Sequence, residues 1–191
     1  HRFFTRFFYD FPNTCRIATK EMFLDTNRAI EIKRTLRNLH YKGPIKFLDH
    51  HDCHAMTSFM TSHFTEGAIL TVDGSGEQAS TRIYYGRGPG IKKLLQINSP
   101  NSLGRFYEVI TQYLGFGKGG QEGKLMGLSS YGTDYYYRKM QNVLRVFSNA
   151  TYKLDFSYFD FLKHPDFHVS KKFISVFGTP RKINEPITQR H

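Results

Sequence analysis

Between Ser102 and Phe116 the apolar residues Phe106, Val109, Ile110, Tyr113 and Leu114 fall at i, i+3, i+4, i+7 and i+8. That spacing predicts an amphipathic α-helix, closed by Gly115. Residues 26–40 repeat the pattern more loosely through Ile30, Ile32, Leu36 and Leu39, with Lys and Arg on the other face. Elsewhere the pattern is that of strands. Residues 68–73 and 79–85 read as a hairpin about the Gly-rich turn at 74–76, and KKLLQIN, after the turn GRGPG, adds a third strand to make a meander. Upstream, residues 41–44 make a turn, and IKFLD reads as a short buried strand feeding a helix that starts in HHDCHA. Downstream, the glycine-heavy loop GFGKGGQEGK leads to LMGLSSYG and a helix near residues 135–147. A strand around TYKLDF and a helix at SKKFISVFG come next, and EPITQRH reads as the start of one more helix.

Composition narrows the class. The 191 residues are 39% hydrophobic and 23% charged with no long polar tract, which fits one globular domain, or part of one, better than a disordered chain. No apolar run approaches the roughly 18 residues of a membrane span, and no secretory leader is visible in a chain that begins with His. Cys15 and Cys53 lie 38 positions apart with no CxxC pairing, which favours a reducing cytoplasm over a disulfide framework or a cysteine zinc site. A net charge of +11 attracts phosphates of any kind. The opening HRFFTRFFYDF interleaves Arg with aromatic rings, so a basic module for nucleic acid or an anionic membrane is an alternative function, beside the plainer reading of an aromatic face packed inside the protein.

The densest chemistry lies in LDHHDCHAMTSF, residues 48–59. His50 and His54 are four apart, so on a helix their rings project from one face, the spacing with which two imidazoles grip a divalent ion, while His51 points elsewhere. The zincin reading is disfavoured, because its HExxH motif needs Glu where this chain has His51. Asp73 ends the apolar strand AILTV 19 residues after His54 and offers a hard carboxylate. The turn Gly74, Ser75, Gly76, Glu77 reads either as a phosphate cradle or as an ordinary hairpin turn. A His, His, carboxylate set with open positions suits iron(II), zinc or manganese.

The run HHDCHAMTSFMTSHFTEGAILTVDGSGEQASTRIYYGRG, then NSPNSLGRFYEVITQYLGF, EGKLMGLSSYG, YKLDFSYFDF and PRKINEPITQRH, resembles the O-carbamoyltransferases that modify nodulation factors and antibiotics. The resemblance covers nearly the whole chain from about Lys46. It implies an α/β fold: part of an actin, hexokinase and Hsp70-like (ribonuclease H-like) domain, a mixed sheet flanked by helices, akin to the tRNA-threonylcarbamoyl transferase. It implies a reaction in which carbamoyl phosphate and ATP form carbamoyl adenylate and the carbamoyl group passes to the hydroxyl of a small molecule at a metal.

Carried over, the metal ligands fall on His50, His54 and Asp73, with iron(II) favoured, and nucleotide or carbamoyl-phosphate contacts fall on Gly74, Ser75, Gly76, Glu77, Lys124 and Gly127. Lys124 reads equally as a surface lysine. The family's GEYKVMGLAPYG stands here as QEGKLMGLSSYG, with Gln121 and Gly123 replacing Gly and Tyr, and its HSLG stands as NSLG, with Asn101 for His. The residue that deprotonates the acceptor is not identified, His51 being a guess. By the same comparison residues 1–191 are the central part of the first domain, with the carbamoyl-phosphate domain lying beyond them. The chain then reads as a fragment unable to complete the reaction alone, a cytoplasmic piece with no membrane or nucleic-acid partner and with oligomerisation open.

Overall fold

The computed structural model describes residues 28–160 and 169–191. The aromatic opening segment and Cys15 lie outside the described residues. Helical backbone runs over residues 28–38 (α1), and His40, with φ 61°, ends the turn after it. Among the described residues most of the stripe expected on this helix is uncovered, with Ile30 59% and Leu39 71% exposed and Leu36 half-buried.

The IKFLD strand does not form. Residues 45–49 form no regular element and pair with no strand among the described residues, and Phe47 and Leu48 are exposed. Phe47 lies beneath the Lys33 ammonium of α1 at 5.6 Å. A short apolar run becomes a strand only where another edge takes up its N–H and C=O groups.

The meander is present. β1 (Glu66–Val72), β2 (Ala79–Arg87) and β3 (Gly90–Asn98) pair antiparallel in the order β1-β2-β3. The register sets Ile69 against Tyr84 and Thr71 against Arg82. A second, two-stranded sheet pairs β4 (Leu144–Val146) with β5 (Tyr152–Leu154), also antiparallel. Every described strand pair is therefore antiparallel, in an architecture that mixes these sheets with helices; the parallel pairing of a mixed sheet does not occur among the described residues.

α2 (His50–Met60) lies on one face of the meander. Ala55 and Phe59 pack on Ile69 and Tyr84, and Gly86 leaves room for the Phe59 ring, which a Cβ would meet at 2.8 Å. α3 (Leu103–Tyr113) begins at Ser102, whose Oγ accepts from Arg105 N–H and donates to the carbonyls of Asp73 and Gly74. Gly104 touches the same backbone: a Cβ there would stand 2.5 Å from Gly74 N. Leu114 caps the helix and Gly115 comes next with φ 71°, as the sequence predicts.

Two expected features are replaced. The LMGLS of LMGLSSYG, residues 125–129, belongs to a helix, α4 (Glu122–Ser129), and the long helix near 135–147 is a single turn, α5 (Tyr137–Met140), followed by β4. β4 pairs with the predicted TYKLDF strand, and tertiary pairing overrides the local helical pattern. α6 (Lys171–Phe177) starts after its Ser170 cap. The tail EPITQRH forms turns and no helix. Val109, Val143, Leu154, Tyr158, Phe159, Phe173 and Phe177 form the larger core. Asn101 joins the two sheets, its side-chain oxygen accepting from Leu154 N–H at 2.9 Å and its carbonyl from Ser80 Oγ.

The start of α2 is held by charge. Buried Arg82 grips the Asp49 cap with both guanidinium arms, reaches Asp52 Oδ1 at 2.9 Å and donates Nε–H to Gln96 at 2.8 Å. Tyr84 donates its hydroxyl to the same Asp52 oxygen at 2.7 Å. Removing one member of such a group strands the others. Because Asp49 still reaches water, Arg82→Met is expected to cost about 2–3 kcal/mol in urea denaturation. Gly104→Ala, which forces two backbone segments apart, is expected to cost about 1–3 kcal/mol by the same measurement.

Candidate metal centre

α2 starts where it does because Asp49 caps it, its carboxylate accepting from Asp52 N–H at 3.2 Å. The first helical residue is then His50, and 3.6 residues per turn place His54 above it. The rings meet edge to face, their centroids 4.5 Å apart. β1 ends at Val72, and Asp73 lies beneath them with its main chain held by Ser102 and its Oδ1 by Gly74 N–H at 2.6 Å. The other oxygen turns to the histidines. His50 Nε2 lies 2.6 Å from Asp73 Oδ2, His54 Nε2 lies 3.5 Å from that oxygen, and the two Nε2 atoms are 3.1 Å apart.

This triangle has the dimensions of a metal's ligand sphere. Ligand bonds of about 2.0–2.1 Å separate neighbouring donor atoms by roughly 3.0–3.5 Å. Two of the three separations fall there, and the third would open slightly around an ion. The donor chemistry agrees, because His50 Nε2 cannot donate a proton to Asp73 while also accepting one from His54. One cation satisfies all three lone pairs together. The side chains are 40%, 57% and 38% exposed, so an ion among them would keep open positions for water or substrate. Burial pushes the Asp73 carboxyl up, but hydrogen bonds from His50 and Gly74 and the nearby histidine charges outweigh it and hold the group below its ordinary value.

His51 has another task. Fully buried, it binds Thr71 Oγ1 through Nδ1 at 2.8 Å and Ala79 O through Nε2 at 3.1 Å; its ring meets that of His50 edge to face at 5.6 Å, but both ring nitrogens are engaged, which leaves neither free to deprotonate a substrate. The carbonyl requires the proton on Nε2. Gly76 is a glycine for this ring's sake, since a Cβ there would lie 2.8 Å from His51 Cδ2.

The Gly-rich turn differs from the expected cradle. Gly74 N–H is taken by Asp73 and Gly76 N–H by Ala79 O at 2.8 Å, the internal bonding of a hairpin turn. Glu77 Oε2 accepts from His50 N–H at 3.2 Å and so closes the turn against the start of α2. Lys124 and Gly127 are exposed on α4, and no hydrogen bond or ion pair among the described residues joins them to the Asp73 corner. The structure thus brings together His50, His54, Asp73 and the Gly74–Glu77 turn. Sequence reasoning missed Arg82, Asp49, Asp52 and Tyr84, which hold the corner in place. The available signal was an arginine inside the strand ASTRIYYGR, on the same face as Tyr84.

Burial first, then the neighbouring Arg82 and His50 charges, lowers the His51 pKa below its ordinary 6.5 despite the opposing hydrogen bond to Ala79. The folded protein therefore resists a proton that the unfolded chain accepts. Stability from this residue is full above pH 6.5 and is lost as pH falls from there through the lower folded value. Urea denaturation between pH 8 and pH 5 is expected to show that decline, and a His51→Gln variant, which cannot titrate, to lack it.

The family described as Carbamoyltransferase N-terminus matches residues 13–190. An uncharacterized protein of Synechocystis sp. is 38% identical over 149 residues, 77% of this chain and 24% of that protein. Nodulation protein NolNO of Sinorhizobium fredii is 35% identical over 58% of this chain and 16% of its own length. Nodulation protein NolO of Bradyrhizobium diazoefficiens is 37% identical over 49% of this chain and 17% of its own. The chain thus spans a quarter or less of the length of these relatives. Among the described residues no helix is long and apolar enough to cross a membrane.

Proposed function

The chain belongs to the carbamoyltransferase N-terminus family, and from that premise we propose that it supplies the metal-holding part of an O-carbamoyltransferase. The single observation that carries this is the convergence of His50 Nε2, His54 Nε2 and Asp73 Oδ2, all within 4.8 Å of one another, in a domain of that family. The substrates are carbamoyl phosphate, ATP and a hydroxyl-bearing small molecule. ATP, carbamoyl phosphate and water give carbamoyl adenylate with release of phosphate and pyrophosphate, and the acceptor hydroxyl then loses its proton and displaces AMP from the carbamoyl carbon. The actin-like fold and a cytoplasmic setting belong to the same reading.

His50, His54 and Asp73 would hold a divalent ion, with iron(II) favoured and zinc or manganese suited to the same donors. Such an ion supplies Lewis acidity where negative charge develops during acyl transfer. The chain's own contribution is orientation. Arg82 fixes the start of α2 and so both histidines, while Ser102 and Gly74 fix the main chain and inner oxygen of Asp73. Contact of the anionic substrates with Gly74, Ser75, Gly76, Glu77, Lys124 and Gly127 is part of the proposal and rests on family membership. At the turn it would have to work around the bonds Gly74 and Gly76 already make.

The chain is expected to bind about one equivalent of iron(II) or zinc, and His54→Ala to weaken binding by at least about tenfold. In the polypeptide that carries this domain, the same change should abolish transfer of label from radiolabelled carbamoyl phosphate to an alcohol. Unchanged metal content in His54→Ala rejects the centre, and transfer unaffected by the change rejects its role.

A further inference from the structure

We propose that the cleft bounded by α3, α4, α5 and the strand β4 binds a small amphipathic organic anion, a molecule with an apolar body and a carboxylate or phosphate head. Its volume, about 760 Å³, lies within the roughly 300–1,000 Å³ of small-molecule sites. Phe106 and Ile110 of α3, Leu125 of α4, Met140 of α5 and Phe147 after β4 give it an apolar lining. At its mouth Tyr137 and Val146 remain 64% and 74% exposed. Among the described residues this apolar surface is uncovered beside a formed cleft, which marks a place where something binds.

Charge selects what binds. From Tyr135 to Leu154 the chain carries Arg138, Lys139, Arg145 and Lys153 and no Asp or Glu. All four are exposed, and none makes an ion pair among the described residues. Arg145, which lines the cleft, stands directly opposite Lys153 across the β4–β5 pair. Like charges facing each other across two strands repel, and an anion held at Arg145 from the cleft lessens that repulsion, although Lys153 itself does not line the cleft. Lys139 lies over the rings of Tyr135 and Tyr136, at 5.8 and 5.7 Å, on the same short helix that borders the cleft. Glu108 on α3 does not offset this field, because Arg105 already holds it at 2.9 Å. An apolar lining whose one charged member is Arg145, with Arg138, Lys139 and Lys153 on the segments beside it, favours an amphipathic anion over a neutral or cationic ligand. This inference rests on nothing in the metal corner.

Calorimetric titration with decanoate, decyl phosphate and decyltrimethylammonium, each below its micelle concentration, tests it. One saturable site per chain is expected for at least one of the two anions, their relative affinity telling a carboxylate head from a phosphate head. The ammonium should bind at least about tenfold more weakly. Arg145→Glu, an exposed change that pairs with Lys153, should keep the circular dichroism spectrum and lose about tenfold in anion affinity. Ser129→Trp, placed on the exposed wall of the cleft, should block binding. The proposal is overturned if neither anion binds saturably, if the ammonium binds equally well, or if folded Arg145→Glu binds the anion as before. It is overturned equally if phosphatidylglycerol vesicles bind while neither single-chain anion does, since the face would then be a membrane contact.

Discussion

The buried grip of Arg82 on Asp49 is the constraint on which the metal corner depends. Asp49 is at once the cap of α2 and the partner of a guanidinium fixed in the central strand of the meander. The phase of the helix over the sheet is thereby set, and with it the direction in which His50 and His54 project. Apolar packing alone would set it loosely, because Ala55, Phe59, Ile69 and Tyr84 form a core of only four buried residues. Burial disfavours the Asp49 carboxylate, but hydrogen bonds from Arg82 and Asp52 N–H more than offset that and hold the group below its ordinary value. Burial likewise pushes the Tyr84 hydroxyl up, to about 12, so it remains a donor to Asp52 throughout the physiological range.

The second half of the corner comes from the other side of the sheet's end. Asp73 is placed by segments later in the chain: Ser102 and Gly104, at the start of α3, lie against its backbone, and Glu77 closes the turn on α2. Two helices thus meet over one turn. His51 fills the space between, and its demand for room is what makes residue 76 a glycine. Features that read as a phosphate-binding fingerprint are used here in part for packing, so the same glycines serve either purpose in a one-dimensional pattern.

Much of this was legible in the sequence, and the reasons differ by element. The three strands of the meander and α3 came from strong periodicity bounded by turn residues and a closing glycine. The meeting of His50, His54 and Asp73 was legible because one helical turn and one strand end carry their own geometry. The failures have physical causes. IKFLD looked like a strand, but pairing is a property of two segments. Residues 135–147 looked helical until β5 supplied a partner for Leu144–Val146. Arg82 was overlooked because a charged residue in an apolar strand is ordinarily taken for a solvent-facing one, and only the fold shows that two carboxylates wait behind it. No local signal linked it to Asp49, 33 residues away.

The central claim is that two imidazoles and one carboxylate surround a single cation. X-ray absorption at the metal edge of the iron(II)- or zinc-loaded chain tests it most directly. The account predicts a first shell of nitrogen and oxygen near about 2.0–2.2 Å with the outer-shell scattering of two imidazole rings, one of them lost in His54→Ala. A shell of water oxygens without imidazole scattering, unchanged in that variant, would contradict it.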